Sequence, residues 1–172
     1  VKAYSTRVGS GPYPTELEDA IGKGIAGRGH EYGTVTGRPR RIGWFDAVPL
    51  RFAVAVNSVS SIMLNKIDIL SGIDTLCVCI AYEIDGKRVE TWPSSGEALS
   101  RAKPVYAQFP GWSESIASVR SLADLPENAR RYVTAIEEYA RVPIVLVSVG
   151  PERTQTIERA WRPMRNRPGI VA

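Results

Sequence analysis

Residues 62–70 read IMLNKIDIL. An apolar run climbs to Leu64, polar and charged residues interrupt it, and apolar residues resume. A strand that ends at Leu64 projects Asn65, Lys66 and Asp68 from its carboxyl end, which is where open α/β sheets bind ligands. The spacing N-K-x-D suits a guanine base. A carboxylate at Asp68 accepts two hydrogen bonds, from N1–H and from the 2-amino group, and adenine offers neither donor in that arrangement. The Lys66 stem lies along the base, Ile67 sits between the two contacts, and Asn65 pins the loop. A solvated turn after a strand is the alternative that these residues alone leave open.

The flanking sequence supports the α/β reading. VPIVLVSVG (142–150) is a fully apolar strand of the kind buried in a parallel sheet, and it too ends in a turn, Ser148-Val149-Gly150-Pro151. TLCVCIAYEIDGKRVETW (75–92) carries Asp85-Gly86 between two alternating runs and predicts a β-hairpin. PVYAQFPGW (104–112) predicts another strand and turn. SLADLPENARRYVTAIEEYAR (121–141) predicts a helix, with Pro126 near its start and Ala129, Tyr132, Val133, Ile136 and Tyr139 on one face. WFDAVPLRFAVAVNSV (44–59) has helical spacing, with Pro49 in the first turn.

Upstream, residues 1–6 suit a strand, GSGPYPTE (9–16) a loop, and 16–24 a short helix ending at Gly22 or Gly24. GKGIAGRG (22–29) follows no clear strand and reads as a surface turn. The stretch 27–43 holds five glycines and no helical period, which predicts a long functional loop. The expected class is α/β: a mostly parallel sheet with flanking helices plus a β-hairpin. One domain spans 1–172 and closes in a basic tail. The opening VKAYSTRVGSGP reads as the interior of a longer sequence.

A 172-residue chain with 44% hydrophobic and 23% charged residues has enough apolar content for one proper core. Its 22 Lys+Arg against 18 Asp+Glu leave an excess that is local. Arg38, Arg40 and Arg41 form one cluster, and Arg159, Arg162, Arg165 and Arg167 another. Such clusters suit the phosphates and carboxylates of small ligands as well as nucleic acid. A nucleic-acid surface needs interleaved aromatic and basic residues. Tyr4, Tyr13 and Phe45 are not arranged that way, so nucleic acid is not the expected partner. Cys77 and Cys79 point to one face of a strand and read as small buried apolar residues in a reducing compartment. His30, the one histidine, adds too little for a metal site. No apolar run approaches a membrane span and no signal-peptide pattern opens the chain. A cytoplasmic setting away from membranes follows as the expectation.

GTVTGRPRRIG (33–43) carries the most unusual chemistry. Thr34 and Thr36 offer hydroxyls, Gly33 and Gly37 permit close backbone approach, and Arg38 and Arg40 present forked donors for carboxylate or phosphate. A mobile basic loop is the bland alternative. Taken together, TRVGSGPYPTEL (6–17), EYGTVTGRPRRIGWFD (31–46), NKIDILSG (65–72), VCIAYEIDG (78–86), PGWSES (110–115) and PIVLVSVGPER (143–153) strongly resemble the C-terminal part of adenylosuccinate synthetase, in family order and over nearly the whole chain.

The resemblance implies part of a P-loop-like GTP-dependent ligase fold. The implied reaction joins IMP and L-aspartate to adenylosuccinate while GTP becomes GDP and phosphate, in AMP synthesis, by a Mg²⁺-dependent homodimer. Carried over residue by residue, Gly33, Thr34, Val35, Thr36, Gly37 and Arg38 resemble the aspartate loop. Arg38 also serves the IMP ribose, and Val8 approaches IMP through its backbone. Arg40, Lys66, Ile67, Asp68, Ser148, Val149, Gly150 and Pro151 resemble the GTP site. Val35 stands where the family often has Thr, which removes one hydroxyl contact. The family's phosphate-binding loop, general-base Asp, general-acid His and Mg²⁺ ligands belong to an N-terminal part with no counterpart here, so no catalytic residue is expected in this chain. A free-standing guanine-nucleotide-binding module without ligase chemistry is the competing reading.

Overall fold

The computed structural model describes residues 1–159. In chain order its elements are β1 (Ser5–Arg7), α1 (Ala20–Arg28), β2 (Arg41–Gly43), β3 (Phe45–Asp46), α2 (Ala47–Val56), β4 (Ile62–Leu64), β5 (Thr75–Ile84), β6 (Lys87–Val89), α3 (Gly96–Ser100), β7 (Lys103–Pro110), α4 (Glu127–Ala140), β8 (Ile144–Ser148) and β9 (Thr156–Glu158). The α/β class holds, with helices flanking strands. The sheets are mixed: β3–β5 and β4–β8 are parallel, and the pairs β1–β2, β5–β6, β5–β7 and β8–β9 are antiparallel. The parallel share is smaller than expected: β6 and β9 return beside β5 and β8 through connections too short for a crossover, and β7 takes the other edge of β5 antiparallel to it.

The predicted hairpin forms at Asp85-Gly86. Both residues take positive φ, +52° and +74°, the conformation a two-residue hairpin loop requires. Strand β5 threads the core through Leu76, Val78 and Ala81, with Cys77 and Cys79 buried as free thiols. Helix α4 buries Ala129, Tyr132, Val133, Ile136 and Ala140 along one face. Tyr132 ties that face to the start of the chain by donating to the Ala3 carbonyl at 2.8 Å. Asp46 caps α2, accepting from the Val48 amide at 3.1 Å, and Pro49 occupies the first turn.

The N-terminal third departs from expectation. GKGIAGRG is not a surface turn, because α1 runs through it and extends past the predicted end to Arg28. Asp19 caps this helix by accepting from the Gly22 amide at 2.9 Å, and Ile25 is fully buried. Gly22 lies so close to Leu17 that a β-carbon there would sit 2.2 Å from the Leu17 carbonyl oxygen. Close packing, and not a turn, accounts for this glycine. Residues 1–3 are not part of β1. They run beside the end of β4, where the Ala3 amide donates to the Asn65 carbonyl at 2.8 Å and the Asn65 amide to the Val1 carbonyl at 2.7 Å. Asn65 thus pins its loop through its backbone. The basic tail beyond Arg159 lies outside the described residues. Arg159 pairs with Glu137, which makes it a packing residue.

Candidate functional site

Because β4 and β8 are parallel neighbours, with Leu64 opposite Val147, the turns after Leu64 and after Val147 leave the sheet side by side. Lys66 enters the first turn in the left-handed conformation, φ +64°, and a 3-10 helix follows over Ile67–Leu70. Ile67 and Leu70 are fully buried and anchor the turn from below. Asp68 is half-buried. Burial raises its pKa, and among the described residues no side chain donates to its carboxylate. Its own backbone amide donates to it, and the acceptor positions that remain are open to a ligand's donors. The PGW segment braces the far end of the turn: the Trp112 indole donates to the Ser71 hydroxyl at 2.8 Å and the Gly72 amide to the Trp112 carbonyl at 2.7 Å.

In the neighbouring turn, the Ser148 hydroxyl donates to the Gly150 carbonyl at 2.8 Å. Val149 is buried and Pro151 exposed. A β-carbon on Gly150 would lie 2.3 Å from the Gln155 amide oxygen, so a side chain there would displace the Gln155 amide.

The loop 31–40 is ordered by its own backbone. The Arg40 amide donates to the Glu31 carbonyl at 2.9 Å, Gly33 to Arg38 at 2.8 Å, and Gly37 back to Gly33 at 2.8 Å. Gly37 closes the tip at φ +63°. Thr34 to Arg38 are exposed, and Val35 is 96% exposed. Among the described residues the Arg38 guanidinium makes no hydrogen bond, while its amide donates to the Thr36 hydroxyl at 3.4 Å. Val8, 76% exposed, follows β1 at the same end of the β1–β2 ladder from which Arg40 enters β2. Arg41 holds the Val8 loop through the Gly9 and Gly11 carbonyls at 3.2 and 2.9 Å, and is itself fixed by both Glu16 oxygens.

Between the loop and the Lys66 turn lies a group that reading the sequence missed. Glu31 is 0% exposed, yet it is a charged residue in a glycine-rich stretch. One carboxylate oxygen accepts from the Tyr4 hydroxyl at 2.6 Å and Lys66 Nζ at 2.8 Å. The other accepts from Lys2 Nζ at 2.7 Å and an Arg40 guanidinium nitrogen at 2.9 Å. Burial acts to raise the Glu31 pKa, but donation from Lys2, Lys66 and Tyr4 outweighs it and holds the carboxyl at about 2. Lys66 also donates to the Gly29 carbonyl at 2.7 Å. Gly29 itself has no room for a side chain, since a β-carbon would lie 2.4 Å from the Tyr4 oxygen. No pattern in the sequence marks the hub: Lys2 and Tyr4 come from the start of the described chain, 29 and 27 residues before Glu31. His30, beside the hub, is exposed.

No group of three or more His, Cys, Asp or Glu among the described residues is placed to hold a metal ion. No helix among the described residues is long and apolar enough to cross a membrane.

A family model described as adenylosuccinate synthetase matches residues 1–157. The chain belongs to the adenylosuccinate synthetase family. It is 54% identical over 162 residues to adenylosuccinate synthetases of Streptococcus gordonii and of Streptococcus sanguinis, covering 93% of this chain and 38% of each relative. It superposes on the structure of fully ligated adenylosuccinate synthetase from Plasmodium falciparum with a TM-score of 0.89 and 42% identity, over 92% of this chain and 38% of that one. The chain thus spans well under half the length of the synthetases it matches. The synthetase family is a family of ligases, and the mixed α/β fold of this chain is the fold of the matching part of that structure.

Proposed function

We propose that this chain supplies the guanine- and aspartate-recognition face of a GTP-dependent ligase that joins IMP and L-aspartate to adenylosuccinate. The observation that carries the reading is the arrangement of an Asp68 carboxylate that receives no side-chain hydrogen bond among the described residues, at the shared carboxyl end of β4 and β8, linked through Glu31 to an exposed Thr- and Arg-bearing loop, in a chain of this family.

Asp68 accepts from guanine N1–H and the 2-amino group. The Lys66 ammonium is held by Gly29 and Glu31, which leaves its stem to lie along the base. The turn Ser148–Pro151 borders the base from the neighbouring strand end. Thr34, Thr36 and the backbone from Gly33 to Gly37 hold the aspartate carboxylates, and the free Arg38 guanidinium bridges aspartate and the IMP ribose. Val35 contributes its backbone alone. Arg40 keeps guanidinium nitrogens beyond the one bound to Glu31 and directs them to GTP. Val8 meets IMP through its backbone.

In the reaction the γ-phosphoryl group of GTP passes to O6 of IMP: the bond to the GDP oxygen breaks as the new P–O bond forms, and the N1 proton of IMP goes to a base outside this chain. The aspartate amine then attacks C6, the C6–O bond breaks with phosphate leaving, and the amine proton goes to a base outside this chain. The residues here bind and orient. Mg²⁺ is assigned to none of them. The setting implied is a cytoplasmic homodimer at the length of the relatives.

The test is product formation. The 172-residue chain alone should form no adenylosuccinate from GTP, IMP and aspartate, and the protein at the full length of its relatives should form it. Turnover by the isolated chain, with longer protein excluded by mass spectrometry, overturns the division of labour. GTP binding without ligation by the full-length protein favours a guanine-nucleotide-binding module.

A further inference from the structure

We propose that Glu31 is the positioning residue that couples the nucleotide turn to the aspartate loop. The inference rests on the functional reading above and adds to it a residue that touches no substrate.

The argument starts from charge. Lys2, Lys66 and Arg40 converge on one carboxylate at 2.7 to 2.9 Å, with Tyr4 as the fourth donor at 2.6 Å. Three like charges do not gather without the anion between them, and a carboxylate with all four acceptor positions filled has no slack in its orientation. Two of those cations lead into different parts of the site. Arg40 is the base of the loop 31–40, and its amide also bonds the Glu31 carbonyl, so the side chain and backbone of Glu31 hold the same residue. Lys66 is the left-handed first residue of the turn that presents Asp68, and its ammonium reaches 37 residues back along the chain to Gly29 as well as to Glu31.

The other two donors come from the segment 1–4, which lies beside the Asn65 backbone. The hub therefore fixes the loop, the turn and the strand end against one another. The side chain is fully buried and its hydrogen bonds go to these protein groups, so its influence on ligands passes through Arg40 and Lys66. Burying a charge is costly and is tolerated when every partner is in place, and one lost partner leaves the rest uncompensated.

The prediction is a coupled loss. In the full-length synthetase, Glu31→Gln keeps the shape but turns an NH₂ group toward two of the donors. The KM values for GTP and for aspartate should both rise, each by about tenfold or more, with kcat changed by less than about threefold. Glu31→Asp, which keeps the charge, should recover part of both. A role confined to stability lowers the folded fraction, and hence apparent kcat, while leaving both KM values alone; that result overturns the proposal, as does a rise in only one KM. Lys2→Met and Tyr4→Phe each remove one donor and leave the carboxylate charged. They should raise both KM values by smaller, similar factors, and unchanged values in these folded variants overturn the proposal even where Glu31→Gln does not fold. Loss of GTP- and aspartate-dependent ligation in the unsubstituted full-length protein would instead defeat the functional reading itself.

Discussion

Asp68→Asn separates recognition of the base from stability of the fold. Burial raises the Asp68 pKa, outweighing its own backbone amide and the nearby Lys66 charge, which act to lower it. The ionised carboxylate is thus disfavoured in the folded protein, so replacing it with a neutral amide should leave stability unchanged or slightly improved near neutral pH. The cost falls on the ligand. Guanine N1–H and N2–H each donate to a charged acceptor, a bond worth about 1.5–3 kcal/mol. Asparagine retains one neutral acceptor and faces its own NH₂ toward the second donor. A loss of about 3 kcal/mol corresponds to a rise of roughly 100-fold in the KM for GTP. Xanthosine triphosphate carries a 2-oxo group that accepts from the Asn amide, so the variant should prefer it. Steady-state kinetics of the full-length protein with both nucleotides, alongside a melting curve, reads each part. An unchanged KM for GTP, or a GTP loss accompanied by a matching drop in melting temperature, would refute the reasoning.

Arg38→Leu should raise the KM for aspartate tenfold or more and that for GTP by less, because its free guanidinium faces a carboxylate ligand at about 1.5–3 kcal/mol per charged hydrogen bond; the reverse order would exchange the roles of Arg38 and Arg40. Burial pushes the Asp46 carboxyl from 3.8 up to about 6 despite donation from Tyr82 and Val48, so its contribution to stability is full below about pH 4 and lost as pH rises through 6, on the order of 3 kcal/mol. Asp46→Asn keeps the helix cap and should gain on the unsubstituted protein by that order between pH 4 and pH 7 in denaturant titrations, and a constant gap would contradict the assignment. Gly29→Ala should destabilise by about 1–3 kcal/mol through its clash with the Tyr4 hydroxyl oxygen, and the cost should shrink in a Tyr4→Phe background.

The elements legible in the sequence are those whose signal is local. The Asp85-Gly86 turn, the one-sided apolar spacing of α4 and the apolar run of β8 each carry their own pattern, and the strand that ends at Leu64 is marked by the polar residues that follow it. The second half of α1 escaped because four of the eight residues 22–29 are glycines, whose weak helix propensity is overridden by the Asp19 cap and the burial of Ile25. The pairings of β7 beside β5 and of β9 beside β8 join segments without a tight-turn signal between them, which composition does not encode. Glu31 was illegible for the same reason. Its burial is set by Lys2, Tyr4, Arg40 and Lys66 converging from segments separated by 9 to 35 residues, and nothing in GRGHEYG distinguishes a solvated carboxylate from a hub. Asn65 pins the loop as expected, and its backbone does the holding.

The most direct measurement is a structure of the full-length protein with GDP and aspartate bound. Guanine N1 and N2 should lie about 2.8–3.0 Å from the two Asp68 oxygens, with the aspartate carboxylates on Thr34–Arg38 and Glu31 still bonded to both Arg40 and Lys66. A base seated away from Asp68, with that carboxylate turned to solvent, would contradict the assignment of this chain as the guanine- and aspartate-recognition face.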